Sequence, residues 1–197
     1  LIVGLGNRMV TPDSLGPKTC DGVFVTRHIK KHIPEAIDER ASTVSAIAPG
    51  VLGVTGIESE EVINSLAKEI RPDVIIAVDA LAAKEIKRIG GSIQISDAGI
   101  YPGAGVGNHR SEITKDTMGI PVIAIGVPTV VDAATIVHDS MEHLLDALEE
   151  TEQKEFLEEM IAPNLYSMFV TPKDVDETVK FLSFTISEGL NIAFCVV

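Results

Sequence analysis

The sequence predicts an α/β fold: a single three-layer domain whose mostly parallel sheet carries helices on both faces. Three observations lead there. Short β-branched runs recur along the chain, stretches with apolar residues at three- and four-residue spacing lie between them, and 197 residues suffice for one well-buried core. A helix between two strands carries the chain back across the sheet, so successive strands run parallel.

The opening run "LIVGLG" supplies the first strand, Leu1 to Leu5, and a crossover helix is expected over Gly16 to Ile33. The second strand covers Thr43 to Ala48. The next helix, Glu58 to Ile70, starts in "GIESEE", with Glu residues in the first turn where the helix dipole favours negative charge. It stops at "RPD", because Pro72 disfavours helix at Arg71. The third strand, Asp73 to Val78, is closed by Asp79. Ser92 to Ile95 and Val122 to Ile125 complete the strands, and Asp132 to Leu148 forms a further helix. Beyond it, "EETEQKEFLEEM" reads as an acidic helix, and a last helix begins near Pro172 or Lys173 with Thr171 as its cap. The Gly-rich stretches "PGVLGVTGIE" and "YPGAGVGN" fall between elements, where loops build sites.

No repeat or low-complexity tract divides the chain, so residues 1–197 read as one domain. Leu1 lies mid-pattern without an initiator Met, and an N-terminal segment is expected to precede it. A net charge of −13 argues against nucleic acid as a partner, since that binding rests on Lys and Arg neutralising phosphates. Two cysteines, Cys20 and Cys195, show neither metal spacing nor a disulfide framework, which points to a reducing cytosol. No run approaches the roughly 20 apolar residues of a membrane helix.

Several familiar motifs fail. "VGLGN" places Gly4 and Gly6 as G-x-G, but Met9 stands where the dinucleotide fingerprint has its third glycine. "GAGVGNHR" lacks the Lys-Ser/Thr of a P-loop, and no G-x-S-x-G elbow occurs. His28 and His32 stand at i, i+4 without the Glu of H-E-x-x-H and read as solvated helix-face residues.

Carboxylates remain. With strand order 2-1-3, the first and third strands are neighbours at the switch point, where ligands bind beyond the strands' carboxyl ends. Asp13 follows strand one and Asp79 ends strand three, so both should face one crevice. An acid closing the apolar run "VIIAV" is partly desolvated, and two neighbouring carboxylates titrate as a unit. Such a dyad can activate water as base and protonate a leaving group as acid, which serves amide hydrolysis. The competing reading is structural: Asp79 caps a helix over "ALAAKEIKRI", and Asp13 caps the helix that opens with "SLGPK". Asp97 and Asp132 are strand-end acids with the same two readings.

Through "GLGNRMVTPDSLGP", "VTRHI", "APGVLGVTGIESEEVI", "RPDVIIAVDALAAKEIKRI", "SIQISDAGIYPGAGVGN", "GIPVIAIGVPTVVDAATI" and "FVTPKDVDE" the sequence resembles the germination protease family of spore-forming bacteria. That resemblance implies an atypical aspartic endopeptidase that degrades small acid-soluble spore proteins inside the spore. It implies Asp13 and Asp79 as the essential pair, without metal or organic cofactor. It further implies a homotetramer, made as a zymogen that removes its propeptide by autoprocessing.

Two alternatives stay open. One is a maturation endopeptidase of the hydrogenase type, which the germination protease family resembles in fold and which recognises nickel through acids and a histidine; Asp13 and Asp79 would then be oxygen ligands, and His109 is the one histidine in a strand-end loop. Two oxygens alone make a poor nickel site, as imidazole and thiolate suit that metal better. The other is a non-catalytic module whose glycine loops bind an anion or a partner.

Overall fold

A computed structural model describes residues 1–103, 111–145, 165 and 167–195, the side chains of 142–145 aside. Among these, five strands lie in the order β2 (Ala46–Ile47), β1 (Ile2–Gly4), β3 (Ile75–Ala83), β5 (Val122–Asp132) and β4 (Gln94–Ser96), and a sixth, β6 (Phe169–Val170), pairs with the end of β5. The neighbours β2, β1, β3 and β5 are parallel, whereas β4 and β6 run antiparallel to β5. The mostly parallel sheet and the 2-1-3 order therefore stand as the sequence predicts.

Both faces of the sheet are covered, which is why its strands read as continuous apolar runs rather than alternating ones. On one face Ile2, Ile76, Val78 and Val127 pack with Leu15 of α1 (Leu15–Gly22) and with Val179, Leu182 and Ile186 of the long C-terminal helix, α7 (Val175–Phe194). On the other, Val3, Leu5, Ile75 and Ala77 meet Ile63 and Ala67 of α4 (Ser59–Ile70) and Met118 of α5 (Lys115–Met118). The remaining described helices are α2 (Arg27–His32), α3 (Leu52–Thr55) and α6 (Ala133–Leu145), with single 3-10 turns at Thr11–Asp13, Pro34–Ala36 and Ile86–Arg88.

Several elements differ from expectation. The helix expected over Gly16 to Ile33 is two. It ends at Gly22, Val23 is extended, and the buried Thr26 donates its hydroxyl to the Ser42 carbonyl at 2.6 Å while accepting the Val44 N–H at 2.7 Å. Those bonds dock "VFVT" onto the segment leading into β2 and outweigh the helical period.

The third strand does not stop at Asp79. It runs to Ala83, paired throughout with β5, which itself continues to Asp132 instead of ending at Ile125. Ala and Leu are strong helix formers, but pairing with a central strand overrides that preference in "ALAA". The last helix begins at Val175, with Asp174 rather than Thr171 at its N-cap. Ser59–Ile70 matches expectation closely, with Glu60 and Glu61 in its first turn and Arg71 left-handed before Pro72. The acidic helix expected after Leu148 lies outside the described residues.

Candidate active site

The crevice arises from a step in the sheet. β1 ends at Gly4, opposite Val78, and Leu5 donates its N–H to the Val78 carbonyl at 2.8 Å. The chain then turns at Gly6, whose φ is +109°, while β3 and β5 continue side by side. Beyond Val78, β3 has lost its β1 neighbour, and Asp79 is the first residue past that point.

Residues Asn7 to Asp13 fold over the step. Val10 donates to the Asn7 carbonyl at 3.1 Å, Asp13 to the Val10 carbonyl at 2.9 Å, and Ser14 to the Thr11 carbonyl at 3.1 Å. Pro12, with its fixed φ, lies in the 3-10 turn. The loop closes on its own acid: the Asn7 N–H donates to Asp13 Oδ2 at 2.7 Å. Arg8 grips Asp21 of α1 with two guanidinium N–H bonds, one of them 3.0 Å long, and so ties the loop to the helix that follows it. That ion pair is exposed, so its contribution is orientation more than stability.

The opening glycines now have a mechanical explanation. A Cβ on Gly4 would stand 2.2 Å from the Gly16 carbonyl oxygen, and one on Gly6 would stand 2.0 Å from that of Asp13. Gly4 admits α1 against the sheet and Gly6 admits the acid-bearing turn. In both places the glycine lets backbone approach backbone, and the turn so admitted carries Asp13.

Asp79 is only 6% exposed. It pairs in register with Gly126, and its Oδ1 accepts the following Ala80 N–H at 2.9 Å. Asp13 and Asp79 both line a single cavity of about 710 Å³, in the size range of ligand pockets. Val10, Tyr101 and Phe169, all partly exposed, give its walls apolar surface.

The structure separates the sequence's candidate acids. Asp79 is followed by strand, not helix, and the N-cap of α1 is Ser14, not Asp13. Neither member of the pair is the helix cap that the competing reading requires. Asp132 is one: Oδ1 accepts the Thr135 N–H and Oδ2 the Thr135 hydroxyl, each at 2.7 Å, at the start of α6. Asp97 is exposed in the bend after β4.

His28 and His32 are exposed on α2, and His109 lies outside the described residues. Among the described residues no three His, Cys, Asp or Glu side chains cluster as a metal-ligand set. Burial pushes the Cys20 thiol up to about 11, which disfavours the reactive thiolate, and Sγ donates to the Ile47 carbonyl at 3.3 Å.

One residue escaped the sequence reading. Leu81 pairs with Pro128 and Ala82 with Val130, so Thr129 is the extra residue of a β-bulge in β5. It is 2% exposed, lines the same cavity, and donates its hydroxyl to the Pro12 carbonyl at 2.7 Å. The available signal was Pro128, because proline within a central strand occurs at bulges.

A family model described as Germination protease matches residues 1–148, a span that holds Asp13, Asp79 and Thr129. The chain belongs to the germination protease family. Germination proteases of Clostridium perfringens strain SM101 and Caldanaerobacter subterraneus subsp. tengcongensis are 46% and 44% identical to it over 210 residues. That of Bacillus mycoides strain KBAB4 is 42% identical over 241 aligned positions. Each match takes in 98% of this chain, and this chain spans 65–66% of the length of these germination proteases. No helix among the described residues is long and apolar enough to cross a membrane.

Proposed function

We propose that the chain is the catalytic part of an endopeptidase that cuts small acid-soluble spore proteins during germination, inside the spore, with Asp13 and Asp79 as its acid–base pair. The observation that supports this reading is that Asp13 and Asp79 line one cavity, at the step where β1 stops and β3 continues. Family membership supports peptidase chemistry, and the apolar wall of Val10, Tyr101 and Phe169 fits an extended peptide.

In this mechanism one carboxylate takes a proton from water, whose oxygen attacks the scissile carbonyl carbon. The partner carboxyl gives its proton to the amide nitrogen, and the C–N bond breaks as the tetrahedral intermediate collapses. The products are a new carboxyl terminus and a free amine, and the pair ends with its proton inventory restored. A homotetrameric working form and a zymogen precursor come with this reading from the family resemblance.

The test is cleavage of a small acid-soluble spore protein by the full protein in the presence of chelator, beside Asp13→Asn and Asp79→Asn. Each variant should keep its fold by circular dichroism and lose turnover by at least about 10²-fold, as general acid–base groups do. Cutting that survives both substitutions ends the assignment. Chelator-sensitive cutting would transfer it to the metal-recognising maturation endopeptidases, and intact partner binding without any turnover would point to a binding module.

A further inference from the structure

The bulge in β5 leaves Thr129 without a place opposite β3 and turns its side chain to other use. Bulges recur beside functional sites because the extra residue re-aims a side chain. Here the hydroxyl reaches a residue 117 positions away in the chain, the carbonyl of Pro12 immediately before Asp13, at a distance in the middle of the range for an O–H donor. The neighbouring carbonyls of the turn are engaged locally, Val10 by the Asp13 N–H and Thr11 by the Ser14 N–H and hydroxyl. The bond from Thr129 differs from these in anchoring the turn to the sheet itself.

We propose that Thr129 is a positioning residue for Asp13: the bulge aims its hydroxyl at the Pro12 carbonyl, and that bond fixes where the Asp13 carboxylate stands in the cavity it shares with Asp79. Asp79 is carried by β3, and Thr129 by β5, to which β3 is paired along its whole length. Fastening the turn to β5 therefore sets Asp13 in the same rigid frame as Asp79. The Asn7 bond orients the carboxylate within the loop, and the Thr129 bond places the loop. The kinetic part of this inference rests on the acid–base reading of Asp13; the structural part does not.

Two substitutions separate hydroxyl from packing. Thr129→Val keeps the buried shape and removes the donor, whereas Thr129→Ser keeps the donor and removes a methyl group. Both are made in the full protein, with thermal unfolding confirming a folded state. Native-state amide exchange at Asp13 and Ser14 reports the turn, and kcat and KM on a small acid-soluble spore protein report the site. In the Val variant exchange at both amides should accelerate by about 10-fold or more, if the anchoring bond is lost with its share of local protection. Its kcat should fall about 10- to 100-fold with KM little changed, the pattern of a displaced reacting group. The Ser variant should match the unsubstituted protein in both.

A Val variant with unchanged exchange or unchanged kcat overturns the proposal, as does a Ser variant impaired as badly as Val. If the unsubstituted protein cuts nothing, the protease reading falls by itself, and the exchange rates of the Val and Ser variants still decide whether Thr129 holds the turn.

Discussion

Gly6 and Asp13 meet backbone against backbone: Gly6 holds φ at +109°, and a Cβ there would lie 2.0 Å from the Asp13 carbonyl oxygen and 3.0 Å from its Oδ1. Gly6→Ala has two faults at once. Backbone strain in that region costs about 1–3 kcal/mol, and the collision is with main chain, which cannot rotate away. The turn carrying Asp13 should move. The expected outcome is a folded protein with a lower Tm whose turnover is down by at least about 10²-fold, since small displacements of a reacting group are costly. Thermal unfolding beside steady-state cleavage checks this, and a fully active Ala variant would show that Asp13 tolerates displacement.

A second close approach fixes α1. A Cβ on Gly16 would stand 2.3 Å from the Leu5 carbonyl oxygen and 2.4 Å from that of Val78, so the first turn of α1 rests directly on β1 and β3. Gly16→Ala should destabilise the fold by about 3 kcal/mol, the upper end of overpacking costs, because neither contact belongs to a flexible side chain. Gly53→Ala is the control. Nothing lies within 4 Å of a Cβ there, and alanine restricts the unfolded chain, so stability should hold or rise by up to about 1 kcal/mol. Urea midpoints of the two variants make the comparison, and similar midpoints would mean α1 can lift off the sheet without loss.

The sheet order and the cavity that Asp13 and Asp79 share were legible because they follow from long-range rules: apolar runs buried on both faces, and a switch point between strands one and three. Asp13 and Asp79 stood out for the same reason, as acids at the ends of adjacent strands. Illegible were the features that tertiary pairing decides. "ALAA" has the composition of a helix and becomes strand because β5 lies beside it, and "VFVT" breaks a helical period because Thr26 finds two backbone partners in Ser42 and Val44. Thr129 was invisible for a third reason: a bulge is a property of register, and a single sequence carries only its shadow, a proline where a central strand should have none.

Cys20 gives the fold a dependence on alkaline pH. Its thiol is pushed from 9.0 to about 11, chiefly by burial, with Asp21 adding to the shift. Between these values the unfolded chain sheds the proton and the folded chain keeps it, so unfolding releases a proton and rising pH favours the unfolded state. The contribution is complete below pH 9 and disappears as pH approaches 11, a loss of about 2–3 kcal/mol at 1.36 kcal/mol for each tenfold change in proton affinity. Burial raises the Cys195 thiol as well, so the informative quantity is the difference between the unsubstituted protein and Cys20→Ala. Denaturant unfolding at pH 8.5 and 10.5 should show the gap between them narrowing as pH rises; a constant gap would mean that the buried thiol ionises like a free one.

Asp132 offers the complementary test, an acid at a strand end whose work is structural. Its two carboxylate oxygens take the Thr135 N–H and hydroxyl, closing the first turn of α6 just as β5 ends. Asp132→Ala removes both acceptors and exposes an unpaired helix N-terminus, which costs about 1 kcal/mol, typical of a lost N-cap. Asp132→Asn keeps one acceptor oxygen and should cost less, about half as much or below, because Asn caps nearly as well as Asp. Neither substitution touches the cavity pair, so cleavage should stay near that of the unsubstituted protein while Asp13→Asn and Asp79→Asn lose it. The comparison is informative because all three acids look alike in the sequence, where each reads as an acid at the end of a strand, although β3 in fact runs on past Asp79. Should Asp132→Asn instead abolish turnover without loss of stability, the division between capping and site acids drawn from the hydrogen bonds would be wrong, and the pair at the step would have a third member.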